Sequence, residues 1–391
     1  MSDWQLAPHR TVCIEDLRQL ATRRLPRVLF DYIDGGAEGE RTLAQNTRAF
    51  EEIVLRPRSA VSVQSVDLHT NILGHQLNLP FVLAPVGSTR LFFPRGEQCA
   101  ARAATSAGTA YTLSTLSGTT LEEVRQSASG PLWYQLYLVG GREVAQSAIA
   151  RARAAGYTAL VVTIDTPVSG FRERDARNGM QPLSSGSLGE RLRFLPQFVT
   201  KPSWVSGFIM DGRPMTFPNI VLPTGPMPYA DVGAALAQSA VTWNDFRWIH
   251  EAWQGPIVVK GVHTAADAYR AVEEGAAAIV VSNHGGRQLD GVAATLHVLP
   301  EVVAAVGDRV QVLMDGGIRR GSDIVKAMAL GAKAVLVGRA YAYGVAAAGE
   351  PGARRAIDIL RTDLMRTMAL LGCPSLAELD ESYITRRTPS P

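Results

Sequence analysis

The amino-acid sequence predicts an α/β protein folded as a (β/α)8 TIM barrel, with an N-terminal helical segment and a long insertion after strand 4. Short runs of β-branched and apolar residues recur eight times, and helical patterns separate most of them. Several runs are apolar throughout, as expected of parallel strands that are covered on both faces. Eight such units in 391 residues favour one barrel over two open-sheet domains, so residues 1–391 are expected to form a single unit.

Each predicted element follows from its local pattern. The apolar, β-rich runs predict strands at Phe81–Ala84, Tyr111–Ser114, Trp133–Tyr137, Ala159–Ile164, Ile257–Lys260, Ala278–Ser282, Val310–Met314 and Ala334–Val337. The helical patterns between them are Gly96–Ala107, Leu121–Gln126, Arg142–Ala155, Asn244–Trp253, Ala265–Glu274 and Ser322–Leu330. Three of these helices are followed by a glycine, Gly156, Gly275 or Gly331, where a left-handed cap is expected.

The regular spacing breaks once, between the fourth and fifth strands, from about Pro167 to Gly255. Within this stretch, residues 184–231 are rich in proline, glycine and apolar side chains and carry few charges. A long loop of this kind is usually functional or disordered, and its several aromatic residues argue against disorder. Two interpretations stay open: an active-site lid, or a surface that lies on a membrane or a partner protein.

Composition excludes several classes of protein. The chain has 39 basic and 36 acidic side chains and a net charge of +3, which gives no reason to expect nucleic acid as a partner. Cys13, Cys99 and Cys373 are far apart and form no CxxC pair, so neither a disulfide framework nor a metal site is expected. Met1–Arg24 lacks the apolar core of a signal peptide. We expect a cytoplasmic protein, in solution or on the inner face of the membrane.

The segment Ile279–Gly291 is the most informative for function. Its strand stops at a loop that presents a possible proton acceptor, His284, and a fixed cation, Arg287. Two glycines between them permit a tight turn that leaves room for a ligand. This arrangement suits proton transfer from, or beside, an anionic small molecule. The alternative interpretation is a capped loop histidine and a solvated surface arginine.

The last two predicted strands end in glycine-rich segments. Met314–Asp323 follows the seventh strand and opens a helix, and Val337–Ala340 follows the eighth. Barrels often bind a phosphate there through backbone N–H groups and a helix N-terminus, and Arg319 and Arg339 offer fork-shaped donors. The pattern predicts a phosphate site, for either a substrate or a cofactor. The alternative is a glycine-rich turn with solvated arginines.

Three further charged residues follow strand ends. Lys260 is either a Schiff-base nucleophile, a partner for an anion, or a charge that reaches solvent. Asp165 is suited to pair with a histidine and stabilise its cation. Arg172 lies in Phe171–Asp175, where charges of both signs alternate, and this run taken alone is typical of a salt-bridged surface.

In this order, the motifs resemble those of the FMN-dependent L-2-hydroxy-acid dehydrogenases and oxidases, which include glycolate oxidase, lactate oxidase and dehydrogenase, and mandelate dehydrogenase. Ser282–Gln288 looks like the highly specific signature of that family. The likeness runs from about Asp16 to Tyr383, and its N-terminal matches are Leu25-Pro26, Asp31-Tyr32 and Gly35–Glu38. The resemblance implies a barrel with FMN at the strand ends.

The resemblance also implies roles for individual residues. His284 looks like the base, and Asp165 looks like the carboxylate that supports it. Arg172 and Arg287 resemble the pair that holds the substrate carboxylate, which replaces the surface interpretation of Arg172. Two arginines that fix an α-hydroxy carboxylate would direct its Cα–H toward the flavin.

Other matches surround the expected substrate and flavin. Tyr32 and Tyr137 look like hydroxyl donors near the substrate, and Lys260 is similar to the lysine beside the flavin N1/O2 edge. The other residues expected to contact FMN are Pro85, Val86, Gly87, Ser114, Gln135, Thr163, Ser282, Asp315, Gly317, Arg319, Gly338 and Arg339.

Some positions separate the branches of the family. Leu116 stands where glycolate oxidase carries a tryptophan, so a wider pocket is expected. Gly87 resembles mandelate and bacterial lactate dehydrogenases, whereas oxidases more often have alanine. The runs 170–175 and 320–326 most resemble mandelate dehydrogenase, and the apolar insertion is similar in position to the membrane-binding segment of that enzyme.

The sequence therefore predicts an FMN-dependent enzyme that oxidises an L-2-hydroxy acid, mandelate-like or lactate, and passes electrons to a quinone or another membrane acceptor. The resemblance implies a homotetramer. A first alternative is an oxidase of the same fold that forms hydrogen peroxide. A second acts on a modified peptide or amine, although an arginine clamp for a carboxylate argues against it. A third is a non-catalytic barrel that binds phosphate ligands or a partner.

Overall fold

The computed structural model describes residues 10–179 and 187–387, and eight parallel strands close into a barrel at its centre. The barrel strands are β1 (Phe81–Leu83), β2 (Tyr111–Ser114), β3 (Leu132–Leu136), β4 (Ala159–Thr163), β5 (Ile257–Val262), β6 (Ala278–Val281), β7 (Gln311–Met314) and β8 (Ala334–Val337). All eight predicted strands are confirmed. Every strand pairs with its neighbours in chain order, and β8 closes the barrel against β1.

The register of the strands places the ends of neighbouring strands side by side. Thr163 at the end of β4 is opposite Lys260 in β5, and Ser114 at the end of β2 is opposite Gln135 in β3. The strand side chains are almost all buried, because helices cover the sheet outside and side chains fill the barrel inside. Polar residues that follow these strands therefore meet at one end of the barrel.

Helices surround the barrel. The crossover helices are α1 (Gly96–Ala107), α2 (Leu121–Ser127), α3 (Arg142–Ala154), α4 (Phe246–Trp253), α5 (Ala265–Glu273), α6 (Thr295–Val306), α7 (Gly321–Ala329) and α8 (Glu350–Leu371), and a further helix, Arg339–Ala348, lies between β8 and α8. The six predicted helices are confirmed, with left-handed glycines after α3, α5 and α7. Helices α6, Arg339–Ala348 and α8 were not predicted. Pro300 lies inside α6, where proline normally counts against a helix.

The N-terminal segment is helical, as predicted, and packs beside the barrel ends. It contains the helices Ile14–Arg24, Arg27–Asp34 and Arg41–Arg48. Strand Ile53–Leu55, which follows these helices, pairs with Ile384–Arg386 near the C-terminal end of the described chain. Strand Thr70–Ile72 pairs with His75–Leu77. The 3-10 helices are Ala49–Glu52, Thr89–Leu91, Tyr229–Asp231, Trp243–Asp245 and Glu381–Tyr383.

The stretch between β4 and α4 is built from short elements. They are the helices Glu173–Asn178, Leu188–Leu192, Leu195–Val199, Pro202–Asp211 and Val232–Leu236, and the hairpin strands Thr216–Leu222 and Gly225–Pro228. Residues 184–186 of the predicted insertion lie outside the described residues. No helix among the described residues is long and apolar enough to cross a membrane.

The insertion has two kinds of apolar side chain. Trp204, Phe217 and Ile220 are buried against the rest of the protein. Leu188, Leu192, Leu195, Val199, Ile209 and Met210 are more than half exposed. One side of the insertion therefore packs on the protein, while several of its apolar side chains face outward.

Candidate active site

A single cavity at the carboxyl ends of the strands unites the predicted site residues. Two of them, Asp165 and Ser282, lie behind the cavity wall. The others line it: Tyr32, Pro85, Val86, Gly87, Ser114, Gln135, Tyr137, Thr163, Arg172, Lys260, His284, Arg287, Asp315, Gly317, Arg319, Gly338 and Arg339. The structure thus brings together groups that are up to about 300 positions apart in the sequence.

His284 is held from both sides of its ring. Its Nδ1 lies 2.9 Å from Oδ1 of Asp165, and its Nε2 lies 3.3 Å from the hydroxyl of Tyr137. A carboxylate at Nδ1 favours the tautomer with the proton on that nitrogen, which leaves Nε2 as the acceptor. Nε2 therefore faces the cavity with a lone pair, as a general base requires.

The side chain of Asp165 is only 12% exposed and is ionised. Burial alone would raise its pKa, but the charge and hydrogen bond of His284, together with Lys260, hold the pKa below its usual value. Gln288 donates from Nε2 to the backbone carbonyls of Asp165 and Val168, at 3.2 and 2.8 Å. These contacts fix the carboxylate on the side of the ring away from the cavity.

Two guanidinium groups line the same cavity. Arg287 donates from Nη1 to the carbonyls of Tyr32 and Gly35, at 2.8 and 2.9 Å. Arg172 donates from Nε to Asp175 at 3.1 Å, so part of the predicted salt-bridged surface also exists. Burial and the nearby charge of Arg172 lower the pKa of Arg287. Two cations this close in a sheltered site favour binding of an anion.

Tyr32 and Tyr137 complete this end of the cavity. Burial and the charge of Asp165 raise the pKa of Tyr137 well above its usual value, so its hydroxyl stays protonated and can donate. The guanidinium of Arg287 lies 5.2 Å from the ring centroid of Tyr32. The ring thus provides a π-face for the cation, and its hydroxyl end belongs to the cavity wall.

Lys260 forms the centre of a second polar cluster. Its ammonium lies 2.9 Å from Oγ of Ser282 and 3.0 Å from Oδ2 of Asp315. Burial alone would lower its pKa, but the carboxylates of Asp315 and Asp165 hold the pKa above its usual value. Only 4% of Lys260 is exposed, so the interpretation of this residue as a solvent-reaching charge is wrong.

Several buried polar atoms of the cavity wall have no hydrogen-bond partner within the described chain. They are Gln135 Nε2 near the end of β3, Thr163 Oγ1 at the end of β4, and Asp315 Oδ1 after β7. A buried polar group without a partner is costly, so these atoms indicate a polar ligand. These atoms include both hydrogen-bond donors and acceptors, which suits the ring edge and the ribityl chain of a flavin. Lys260 supplies a cation beside Asp315.

The glycine-rich ends of β7 and β8 are shaped for close approach. Gly317 has φ of +81°, and a Cβ there would lie 2.0 Å from the carbonyl oxygen of Asn46. Arg339 donates to the carbonyls of Ile33, Gly35 and Gly285, at 2.7–3.1 Å. Burial and neighbouring cations lower the pKa of Arg339 to about 10. Arg339 therefore lines the cavity and also holds the surrounding loops together through these hydrogen bonds.

Two contributors to the site were missed from the sequence. Gly261, with φ of +105°, forms a bulge in β5, and a Cβ there would lie 2.7 Å from the side chain of Asp165. Asn46 pairs with Asn283 beside the catalytic loop. The glycine after Lys260 was a signal for a strand irregularity. No local signal marks Asn46, because its partner is distant in the sequence.

The barrel and the cavity define an α/β-barrel enzyme for a small anionic substrate, with polar groups placed to hold a cofactor. Comparison with known proteins agrees with this class. The model of the FMN-dependent dehydrogenase family matches residues 21–386. The chain belongs to this family, and FMN is its cofactor.

Similar proteins and solved structures indicate which FMN-dependent enzymes this chain resembles. The L-lactate dehydrogenase of Caulobacter vibrioides is 44% identical over 378 residues, which are 96% of this chain and 97% of that protein. The monotopic membrane protein (S)-mandelate dehydrogenase has a TM-score of 0.90 and 38% identity, over 96% of this chain and 99% of that one. Mandelate oxidase has a TM-score of 0.81 and 36% identity, over 96% and 98%. The chain is an FMN-dependent 2-hydroxy-acid dehydrogenase or oxidase.

Proposed function

We propose that this enzyme oxidises an L-2-hydroxy acid to the 2-oxo acid, with His284 as the base and Arg172 and Arg287 as the clamp for the substrate carboxylate. One observation carries the proposal. His284, whose Nε2 lies 3.3 Å from the hydroxyl of Tyr137, lines one cavity together with Tyr137, Arg172 and Arg287. A substrate with a carboxylate beside a hydroxyl-bearing carbon matches this set of groups.

The residues around the strand ends would hold FMN. Lys260 and Ser282 suit one edge of the flavin ring, while Gln135, Thr163 and Asp315 offer the unpartnered polar atoms described above. The glycine-rich ends that carry Gly317, Arg319, Gly338 and Arg339 suit the phosphate. When bound, FMN takes up the two electrons that the hydroxy acid loses.

The protein handles the proton that accompanies this oxidation. The hydroxy acid loses two hydrogens, and His284 takes up one substrate proton at Nε2 while Nδ1 stays bonded to Asp165. Asp165 then faces an imidazolium at 2.9 Å, and this ion pair in a sheltered site stabilises the charge that develops. Arg172 and Arg287 hold the carboxylate still and keep Cα at a fixed distance from the base.

The cavity favours an apolar substrate side chain. Leu116 lines the cavity. Phe217 of the insertion and Val232 and Leu236 of the helix that follows it line the same cavity. An aromatic acid of the mandelate type fits this apolar lining, so it is our first choice. Lactate is the second, because relatives more than 40% identical over nearly the whole chain bear the name L-lactate dehydrogenase.

A quinone or another membrane acceptor is the proposed destination of the electrons. The outward apolar side chains of the insertion suit contact with a membrane surface, and the name of one similar structure describes a monotopic membrane protein. A homotetramer in the cytoplasm, attached to the inner face of the membrane, is consistent with this function. Similarity to mandelate oxidase supports the alternative, an enzyme that reduces O2 to hydrogen peroxide.

The acceptor is tested by mixing the substrate-reduced enzyme with air-saturated buffer in a stopped-flow instrument. The proposed dehydrogenase should re-oxidise slowly with O2 and rapidly with a soluble quinone. Re-oxidation by O2 in well under a second, with hydrogen peroxide formed, would establish the oxidase instead.

The base is tested with His284→Gln, which keeps a polar side chain but cannot accept a proton. The variant should bind FMN and lose its reduction by L-mandelate or L-lactate by at least about 10³-fold, since the ring supplies general-base catalysis and part of the electrostatic stabilisation. Reduction of FMN at near wild-type rate would remove His284 from the mechanism.

A further inference from the structure

We propose that Asn46, a buried residue outside the barrel, is a positioning residue that holds His284 in its reactive orientation. This inference rests on the proposed role of His284 as the base. It concerns a helix, Arg41–Arg48, that lines no part of the substrate cavity.

The loop that carries the base is left-handed at three successive residues. His284, Gly285 and Gly286 have φ values of +58°, +64° and +73°. The two glycines adopt this conformation freely, but a histidine pays for it because its Cβ crowds the following carbonyl. Such a residue persists only where its surroundings over-determine its conformation, and strained residues of this kind cluster at active sites. The contacts of the loop must therefore hold His284 in place.

Asn46 and Asn283 form a reciprocal amide pair beside this loop. Each donates from Nδ2 to Oδ1 of the other at 2.8 Å, and both residues are buried. The amide of Asn283 is fully committed, because Oδ1 also accepts from the backbone N–H of Gly286 and Nδ2 also donates to the carbonyl of Ala293. Turning this amide over would set donor against donor and acceptor against acceptor. Asn46 thus fixes one orientation of the residue that precedes His284.

Asn46 also touches the loop after β7. Its backbone carbonyl oxygen lies 2.0 Å from the position that a Cβ at Gly317 would take. Its side-chain amide nitrogen lies 3.3 Å from the corresponding position at Gly316. Gly317 is among the residues proposed to contact FMN. Asn46 therefore stands between the loop of the base and the loop proposed for the cofactor, and it sets the spacing of the two.

The side chains of the clamp for the substrate carboxylate have hydrogen-bond partners outside this amide pair. Arg287 is held by the carbonyls of Tyr32 and Gly35, and Arg172 bonds to Asp175. Loss of the amide pair should therefore displace the base more than the clamp. The expected signature is a lower kcat with little change in KM, because binding is kept while proton transfer is slowed.

The test uses Asn46→Asp in the holoenzyme. The aspartate has the same shape, but it places a carboxylate oxygen against Oδ1 of Asn283, which cannot turn over without loss of its other two bonds. We expect kcat per bound FMN to fall about 10- to 100-fold, with KM within about threefold. The primary isotope effect on kcat for the 2-deuterated substrate should be at least as large as in the wild type. Thr47→Asp, which adds the same charge at an exposed position of this helix, should behave as wild type.

A merely structural role for Asn46 predicts another pattern: lower FMN content and lower Tm, but an unchanged kcat per bound FMN. That pattern would overturn the inference. If Asn46→Asp does not retain FMN, Asn46→Ala, which adds no charge, decides by the same two quantities. His284→Gln is measured in parallel. If it still reduces FMN, the proposed function fails; if it is inactive while the Asn46 variants keep the wild-type kcat per FMN, only the present inference fails.

Discussion

The strand-end cavity and the insertion after β4 differ in burial: the cavity buries charged side chains, whereas the insertion exposes apolar ones. Around the cavity, Lys260 and Asp315 are buried, although charged side chains prefer water. In the insertion, Val199 is 70% exposed and Met210 is 86% exposed, although large apolar side chains prefer the interior. Both arrangements cost free energy in the isolated chain. Each is therefore best explained by a ligand: a polar cofactor and an anionic substrate for the cavity, and an apolar surface for the insertion.

The two regions are nevertheless joined. Arg90, in the loop that follows β1, is buried and pairs with Asp211 of the insertion at 2.5 Å. It also donates to the carbonyls of Arg213 and Pro214. On the inner side, Phe217 reaches the cavity wall. The comparison thus separates an inner side of the insertion, which belongs to the site, from an outer side, which is free for another surface. Substitutions in the two places should have distinct effects.

The largest expected effect comes from the clamp. Arg172→Met removes one of two cations that face the proposed carboxylate, and we expect kcat/KM for the hydroxy acid to fall by about 10³-fold, which corresponds to about 4 kcal/mol. Steady-state kinetics with a soluble dye as acceptor measure it. Arg177→Met, at a 72% exposed side chain of the helix that follows Arg172, is the control and should change little. Equal effects of the two variants would contradict the distinction between cavity and surface.

Lys260→Met should damage the cavity through its electrostatics. The variant leaves Asp315 buried without its cation, so we expect the free energy of unfolding to fall by about 3 kcal/mol and FMN to bind more weakly. Chemical denaturation and FMN fluorescence measure these two quantities. Lys333→Met, at an exposed lysine after α7, is the control. A Lys260 variant as stable as the wild type would show that the buried pair is not important to the site.

Leu116→Trp tests the apolar wall. A larger ring would fill the space proposed for the substrate side chain, so the ratio of kcat/KM for L-mandelate to that for L-lactate should fall by about tenfold or more. An unchanged ratio would place the substrate side chain elsewhere. Leu188→Trp, at an exposed position of the insertion, should leave the ratio as it is.

The outer side of the insertion should matter for binding and hardly at all for catalysis. Serine at Leu188, Val199, Ile209 and Met210 together should leave kcat/KM with a soluble acceptor within about twofold, because these side chains line no part of the cavity. Co-sedimentation with phospholipid vesicles should fall by tenfold or more, since each buried apolar side chain contributes about 1.5–3 kcal/mol. Unchanged vesicle binding, or a large loss of activity, would contradict the two-sided description.

The smallest expected effect is the pH dependence of the ion pair between Glu123 of α2 and Arg213 of the insertion. A bidentate hydrogen bond from Arg213 lowers the pKa of Glu123 to about 2. A lowered pKa in the folded state means stabilisation that is present above about pH 4.5 and is lost as the pH falls toward 2. Because the pair is about one-third exposed, it should contribute under about 1 kcal/mol. Glu123→Gln should therefore lower Tm slightly at pH 7 and not at pH 2; a constant difference would remove the ion pair as the cause.

The cavity and the insertion also differ in how much of each could be predicted from the sequence. The eight strands follow from short apolar runs, and their polar ends follow from barrel geometry, so residues as distant as Tyr32 and Arg339 were correctly expected in one cavity. Helix α6 was missed because Pro300 interrupts its pattern. The partnership of Asn46 with Asn283 was invisible, because a lone asparagine carries no periodic signal. In the insertion, composition revealed many apolar residues but could not tell Phe217, which is buried, from Met210, which is exposed.

The most direct test of the central claim is anaerobic reduction of the bound FMN by matched L- and D-2-hydroxy acids, followed as the loss of flavin absorbance. His284, Arg172 and Arg287 line one cavity. Because the proposed base and clamp would hold one enantiomer with its Cα–H toward the flavin, L-mandelate or L-lactate should bleach the flavin while the D-enantiomers do not. Equal bleaching by both enantiomers, or none by any L-2-hydroxy acid, would contradict it.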